Sequence, residues 1–162
     1  MSLVRVVSPW DSHTSEARWV GMALSTMSLA AAAFDASPSV AAVLTPEGTI
    51  LIVNRAWRQY GRDNGAGSRC GVGTNYLDVT ARSAAAGDEL AAAVSAALEA
   101  VLGGHAAEAR FDYPCHAPDR QRWFRLQAVP LMNRGGLLVV HNDITDLVQA
   151  ATSRADRMGR SC

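Results

Sequence analysis

Residues that could carry out chemistry are few in this chain and widely spaced. Cys115 and His116 are adjacent, but neighbouring residues of a strand point to opposite faces and do not readily bind one metal ion. No second Cys or His pair lies at metal-ligand spacing, so a turn stiffened by nearby prolines is the preferred interpretation of this segment. Asp112, Asp119 and Asp143 are scattered without an evident base partner. The sequence therefore predicts neither a metal site nor a catalytic site, and we expect no enzyme activity.

Length and composition indicate one domain with some additional helix. The chain has 162 residues, 49% of them hydrophobic, and its formal net charge is zero. No basic face or arm stands out, so we expect no nucleic-acid partner. Three widely spaced cysteines do not form a disulfide framework and fit a reducing compartment. The longest apolar segment, 19–34, is too short and too rich in small residues to span a membrane. We therefore expect a cytoplasmic protein without a membrane span.

A helix is predicted from Ser15 to Ala36, with apolar residues on two opposed faces. One face carries Val20, Leu24, Met27, Ala31 and Phe34, and the other carries Trp19, Met22, Leu29 and Ala33. A surface helix needs one apolar stripe, so two stripes call for two partners. We expect one face to pack on the domain and the other on a second copy of the chain. An Ala-rich helix held within a single core is the alternative.

The rest of the chain alternates short apolar strands with helices. Strands are predicted at 40–44, 49–53, 107–115, 122–130 and 137–142, helices at 55–62, 88–102 and from about 143 to 157, and one or two helical turns within 75–83. Asn54 and Asp88 stand where they can cap the helices that follow them. This order predicts an α+β fold, in which a five-stranded antiparallel sheet has helices packed on one face and a further helix at each end.

Four segments of this pattern resemble a PAS domain. They are Pro-Glu-Gly-Thr-Ile-Leu-Ile-Val-Asn-Arg-Ala-Trp (46–57), Gly-Val-Gly-Thr-Asn-Tyr-Leu-Asp-Val (71–79), Tyr-Pro-Cys-His-Ala-Pro-Asp-Arg-Gln-Arg-Trp-Phe (113–124) and His-Asn-Asp-Ile-Thr (141–145). The third resembles a bacterial PAS subgroup with a similar Tyr-Pro-Cys-His segment. The resemblance places a PAS domain at 37–147, after an N-terminal flanking and dimerisation helix at 1–36 and before an outgoing helix and tail at 148–162.

What the resemblance implies is a sensory or signal-relay function. PAS domains bind small ligands or cofactors, or simply dimerise, and they control effectors such as the histidine kinases of two-component systems or cyclases. No such effector motif occurs in these residues, so the effector is expected in a longer form of this chain or in another chain. A ligand-free interaction and dimerisation module is the alternative, and a small enzyme with an α+β cavity is a more remote one.

The resemblance also raises the question of haem and flavin. A haem needs an axial ligand, commonly a His, and the helix predicted at 88–102 contains none; His105 follows the glycines that end it. Flavin-binding PAS domains that sense light place a reactive Cys in an Asn-Cys-Arg-Phe-Leu-like helix. Cys70 lies near that region but within Gly-Ser-Arg-Cys-Gly. We therefore predict no cofactor.

Strand alternation indicates where a small molecule would bind. Successive residues of a strand face opposite sides of a sheet, which assigns Phe111, Tyr113, Phe124 and Leu126 to the inner face. The candidate ligand-binding residues are Trp57, Tyr60, Tyr76, Phe111, Tyr113, Phe124, Leu126 and His141. His141 could bind a ligand or report pH, and a structural bond to nearby backbone is the preferred interpretation.

Two further surfaces are predicted. Trp123 falls on the outer face of the sheet, where it needs cover, and the two-faced N-terminal helix is a natural cover. The expected dimer interface is Trp19, Met22, Leu24, Met27, Leu29 and Trp123. Asp143, Ile144 and Thr145 are the expected output hinge, where Asp143 or Thr145 caps the last helix and Ile144 anchors it to the sheet.

Overall fold

The computed structural model describes residues 12–65, 71–115, 120–132 and 135–159. The chain divides into two compact units between Ala36 and Ser37. The first contains helix α1 (Ser12–Ala36), which begins three residues before the predicted start. Three of its predicted interface side chains, those of Met22, Met27 and Leu29, are exposed. Two others, those of Trp19 and Leu24, lie outside the described side chains.

The second unit is built on five antiparallel strands: β1 (Val40–Leu44), β2 (Ile50–Val53), β3 (Ala109–Pro114), β4 (Trp123–Pro130) and β5 (Leu137–Asp143). Their order across the sheet is β2-β1-β5-β4-β3. Strand β5 is therefore central, which agrees with the apolar residues on both of its faces. The predicted α+β fold with a five-stranded antiparallel sheet is confirmed.

Three helices connect β2 to β3, and a fourth follows β5. They are α2 (Arg55–Asp63), α3 (Tyr76–Ala85), α4 (Glu89–Leu102) and α5 (Thr145–Gly159). Helix α3 runs for ten residues, which is longer than the one or two turns predicted within 75–83. Among the described residues, every helix is too short or too polar to cross a lipid bilayer.

The core lies between the inner face of the sheet and helices α2, α3 and α4. Helix α4 contributes Val94, Leu98 and Val101, which lie at the spacing of one helix face and are all buried. They pack with Leu126 and Ala128 of β4 and with further apolar residues of the other strands. Val94, Leu98 and Val101 lie on one face of α4, and Leu126 and Ala128 lie on one face of β4. These two apolar faces pack against each other.

The start of β5 is set by a close backbone approach. Gly135 and Gly136 have φ angles of 65° and 87°, in the left-handed region that favours glycine. A Cβ atom on Gly136 would overlap the carbonyl group of Leu44. Glycine at this position therefore allows β5 to enter the sheet directly beside the end of β1, where Leu44 pairs with Leu137.

Asn54 joins β1 to the start of α2 and is fully buried. Its Oδ1 accepts hydrogen bonds from the backbone N–H groups of Ala41 (3.1 Å) and Trp57 (2.9 Å). Its Nδ2 donates to the carbonyls of Ser39 (2.7 Å) and Ser37 (3.4 Å). The predicted cap is present, and the same side chain also holds the first strand.

We expect Asn54→Ala to lower the free energy of unfolding by about 3 kcal/mol, because it leaves several buried backbone groups without a partner. The matched control is Asp88→Ala, which removes the exposed N-cap of α4 and its bond to the Ala91 N–H. That loss should cost about 1 kcal/mol. Urea denaturation of both variants measures the difference, and equal losses would contradict the role assigned to Asn54.

Candidate functional site

A cavity of about 170 Å³ is formed by side chains from the inner face of the sheet and from helices α2 and α3. Five of the lining residues are aromatic. The lining consists of Val40, Trp57, Tyr60, Gly61, Tyr76, Tyr113, Phe124 and His141.

The structure brings together six of the eight side chains that strand alternation and aromatic character single out, namely Trp57, Tyr60, Tyr76, Tyr113, Phe124 and His141. Phe111 and Leu126 do not line the cavity: Leu126 lies in the hydrophobic core, and Phe111 is partly buried and packs against that core. Val40 and Gly61 were not foreseen as cavity residues. Val40 is an ordinary apolar residue of β1 and Gly61 has no side chain, so neither residue type suggests a role in binding.

His141 lies on β5 and its ring is held by two tyrosines. Its Nδ1 is 2.7 Å from the Tyr113 hydroxyl and its Nε2 is 3.4 Å from the Tyr76 hydroxyl. The edge of its ring also meets Trp57, with ring centres 5.8 Å apart. Its partners are thus side chains, not the nearby backbone that the sequence favoured. Burial lowers the pKa of His141 to about 4, so the imidazole is neutral at neutral pH.

A second polar pair connects α2 to the end of β3. The Tyr60 hydroxyl lies 2.8 Å from the Cys115 Sγ, and either group can be the donor. Burial raises the pKa of Tyr60 to about 12, and the bond to the Cys115 thiol adds to this effect. Sequence reasoning missed this contact, because the two residues are 55 positions apart and neither is unusual in its local segment.

Aromatic packing holds the remaining walls of the cavity. Phe124 meets Tyr60 edge-on, with ring centres 5.5 Å apart, and stacks on Tyr113 at 6.1 Å. Such contacts fix ring orientation as well as burying area. Burial also raises the pKa of Tyr113. The wall of the cavity is therefore uncharged at neutral pH and carries hydroxyl groups within an apolar surface.

The junction between β5 and α5 lies at the residues predicted as an output hinge. Asp143 Oδ1 accepts hydrogen bonds from the N–H (2.9 Å) and the hydroxyl (2.5 Å) of Thr145. The Thr145 hydroxyl oxygen accepts from the backbone N–H of Trp123 at 3.0 Å. The Ile144 N–H donates to the Trp123 carbonyl at 2.8 Å, and the Ile144 side chain is buried. Asp143 thus accepts from the first N–H group of α5, whereas Thr145 is bonded to Asp143 and to β4.

The other acidic and metal-binding candidates do not form a site in the described part of the chain. Asp112 is paired with Arg125 across β3 and β4, with both carboxylate oxygens 2.6 Å from the guanidinium. That pairing holds the pKa of Asp112 below its usual value. Cys70, His116 and Asp119 lie outside the described residues. Within the described ranges, no cluster of His, Cys, Asp and Glu could hold a metal ion.

Comparison with known proteins identifies the architecture. The family model of the PAS fold matches residues 34–149. An uncharacterized 104.1 kDa protein in the hypE 3′ region of Rhodobacter capsulatus is 38% identical over 123 residues, which are 74% of this chain and 13% of that protein. This chain therefore spans about an eighth of the length of that relative.

Solved structures agree with the fold. The PAS domain of Bordetella pertussis BvgS superposes with a TM-score of 0.54 at 17% identity, covering 85% of this chain and 99% of that domain. The PAS domain of an HTR-like protein from Haloarcula marismortui has a TM-score of 0.50 at 20% identity, covering 78% and 98%. At these identities the likeness concerns the fold alone.

The desolvated imidazole of His141 makes the stability of the protein depend on pH. Its pKa in the folded state is about 4, below the 6.5 of an unfolded chain, so the unfolded state binds more protons between these values. Its contribution is fully present above pH 6.5 and is lost as the pH falls toward 4. We expect a loss of about 3 kcal/mol from this group.

Urea denaturation at several pH values between about 7 and 4 tests this expectation. His141→Gln should flatten the curve in this interval. Tyr113→Phe keeps the imidazole buried and should retain the dependence. A His141→Gln curve as steep as that of the wild type would show that another group causes the loss.

Proposed function

This chain belongs to the PAS-fold family, and from that premise we propose that it is a sensory module that binds a small molecule in its cavity and relays the binding event through α5. PAS domains are generally sensory or signalling modules, typically without catalytic activity.

The observation that carries the proposal is the cavity of about 170 Å³. A module that only dimerises needs a filled core, and protein interiors leave few voids larger than a water molecule. This space is lined by aromatic rings with hydroxyl groups and an imidazole among them, which is the usual composition of a small-molecule site. It therefore supports ligand binding over the alternative of a ligand-free interaction module.

Haem and flavin do not fit this cavity. Each is a system of several fused or linked rings, whereas an apolar cavity of about 150 Å³ accommodates a molecule of the size of benzene. Both ring nitrogens of His141 are in contact with tyrosine hydroxyls, so this residue is not placed as an axial ligand. The size and the contacts support a much smaller, non-covalent ligand.

The β5–α5 junction supports the relay. His141 lines the cavity and Asp143 lies two residues along the same strand, while Phe124 lines the cavity next to Trp123, to which α5 is bonded. A ligand that shifts β4 or β5 acts directly on the groups that hold the first turn of α5. Asp143, Ile144 and Thr145 are thus the proposed output hinge.

Dimerisation and the effector complete the proposed function. We place the homodimer interface on α1, whose Met22 and Leu29 are 54% and 71% exposed, together with the half-buried Trp123. A large exposed apolar side chain alone is ordinary, but these two stand at the i, i+7 spacing of one helix face and together favour a partner surface. An effector such as a histidine kinase or a cyclase, in the same or another chain, would receive the signal. The predicted location of the protein is the cytoplasm.

Native mass spectrometry beside denaturing mass spectrometry tests ligand binding in the cavity. Purified wild-type protein should retain a small molecule that is released on denaturation. Val40→Phe, which places a ring in the cavity, should abolish that retained mass, and Val40→Leu should reduce it. A retained mass that is the same in all three proteins would place the ligand elsewhere, and no retained or rebound molecule would contradict ligand binding.

The same spectra report the number of chains. The wild type should appear as a dimer, and Leu29→Glu should shift it toward monomer, because a charge would be buried in the proposed interface. Ser28→Glu adds the same charge at an adjacent exposed position and should leave the dimer unchanged. A Leu29→Glu protein that remains fully dimeric would exclude this surface.

Hydrogen exchange tests the output hinge. We expect Asp143→Ala to lower the protection of amides in residues 146–157 by about 1 kcal/mol while the sheet stays protected, because the first turn of α5 loses its acceptor. Thr152→Val is the matched control, since its hydroxyl bonds only within α5, to the Val148 carbonyl. Unchanged protection of α5 in Asp143→Ala would remove the local basis of the relay.

A further inference from the structure

The volume of the cavity limits the size of its ligand. It is about 170 Å³, close to the roughly 150 Å³ that accommodates benzene in an apolar protein cavity. A single six-membered ring with one small substituent fits this space, and two fused rings do not. The five aromatic side chains of the wall favour a planar ring, because aromatic rings pack well edge-on or with an offset.

The absence of charge in the cavity wall limits the ligand further. None of the eight lining residues is Asp, Glu, Lys or Arg, and His141 is neutral at neutral pH. The ionised groups that act on Tyr60 are Arg122 and Asp143, which have opposite signs. An ionised ligand would lose its hydration without gaining a paired charge in the wall. The wall therefore selects an uncharged molecule.

One hydroxyl in the wall is suited to hold a polar substituent. The Tyr113 and Tyr76 hydroxyls both contact the ring of His141, at 2.7 Å and 3.4 Å. The Tyr60 hydroxyl is bonded to the Cys115 thiol, which is a weak donor and a weak acceptor. A ligand amide, carbonyl or hydroxyl group makes a stronger hydrogen bond than the thiol does, so Tyr60 gains by exchanging one partner for the other.

We propose that the cavity binds an uncharged single aromatic ring carrying one amide, carbonyl or hydroxyl group, with that group bonded to the hydroxyl of Tyr60. This inference rests on the proposed ligand-binding function. It identifies Tyr60 as the residue that determines specificity and Cys115 as the internal partner that the ligand displaces.

Three probes test the ligand class by calorimetric titration of the full chain at neutral pH. Benzamide is a neutral single ring, benzoate has nearly the same shape with a negative charge, and 2-naphthamide adds a second ring. We expect benzamide to bind, benzoate to bind at least tenfold more weakly, and 2-naphthamide not to bind. Val40→Phe, or the milder Val40→Leu if the first variant does not fold, should weaken benzamide binding and so locate it in the cavity.

Two variants test the role of Tyr60. Tyr60→Phe keeps the ring and should weaken benzamide several-fold while leaving toluene, which has no polar group, unchanged. Cys115→Ala removes the competing partner of the hydroxyl and should leave benzamide binding equal to or tighter than in the wild type. Equal binding of benzamide to wild type and Tyr60→Phe would overturn the assignment of Tyr60.

The outcomes separate this inference from the function on which it rests. Benzoate binding as tightly as benzamide, or 2-naphthamide binding in the cavity, would overturn the ligand class while ligand binding itself stands. Failure of every probe would also overturn the class. Ligand binding would then be judged by the retained mass in the wild type and its loss in Val40→Phe, a measurement that uses none of these probes.

Discussion

The buried side chain of Asn54 is the interaction on which the rest of the domain depends. It satisfies backbone groups of the first strand and of the first turn of α2 with a single amide. Because the start of α2 is fixed against β1, the residues one and two turns later are fixed as well. Trp57, Tyr60 and Gly61 follow at the spacing of one helix face, and all three line the cavity. A hydrogen-bonding pattern at the edge of the sheet thus sets the shape of the interior.

Local patterns predicted most of the fold and the composition of the inner face. Alternation along β3 and β4 placed Tyr113 and Phe124 correctly, since the side of a strand on which a residue falls depends only on its immediate neighbours. The apolar character of both faces of β5 likewise indicated its central position. The length of α3 was underestimated, because its sequence contains no apolar stripe and its cap at Asn75 was not recognised as one.

The division between core and cavity could not be predicted from such patterns. Phe111 and Leu126 occupy the same face as Tyr113 and Phe124, yet they join the core because α4 packs on β3 and β4. The partners of His141 come from α3 and β3, 65 and 28 residues away. Contacts of this kind depend on how the helices pack over the sheet, and a single sequence carries no local signal for that arrangement.

The attachment of α5 has a mechanical consequence. The helix has 15 residues, so at a rise of about 1.5 Å per residue it extends for about 22 Å, and the hydrogen bonds described above hold it only at its base. A tilt of about 5° at the base would displace the far end by about 2 Å, because the displacement grows in proportion to the length of the helix. Packed helices lie about 8–10 Å apart with interdigitated side chains. Where a second helix packs on α5, a displacement of this size would change which side chains meet, even if every hydrogen bond of the sheet is kept.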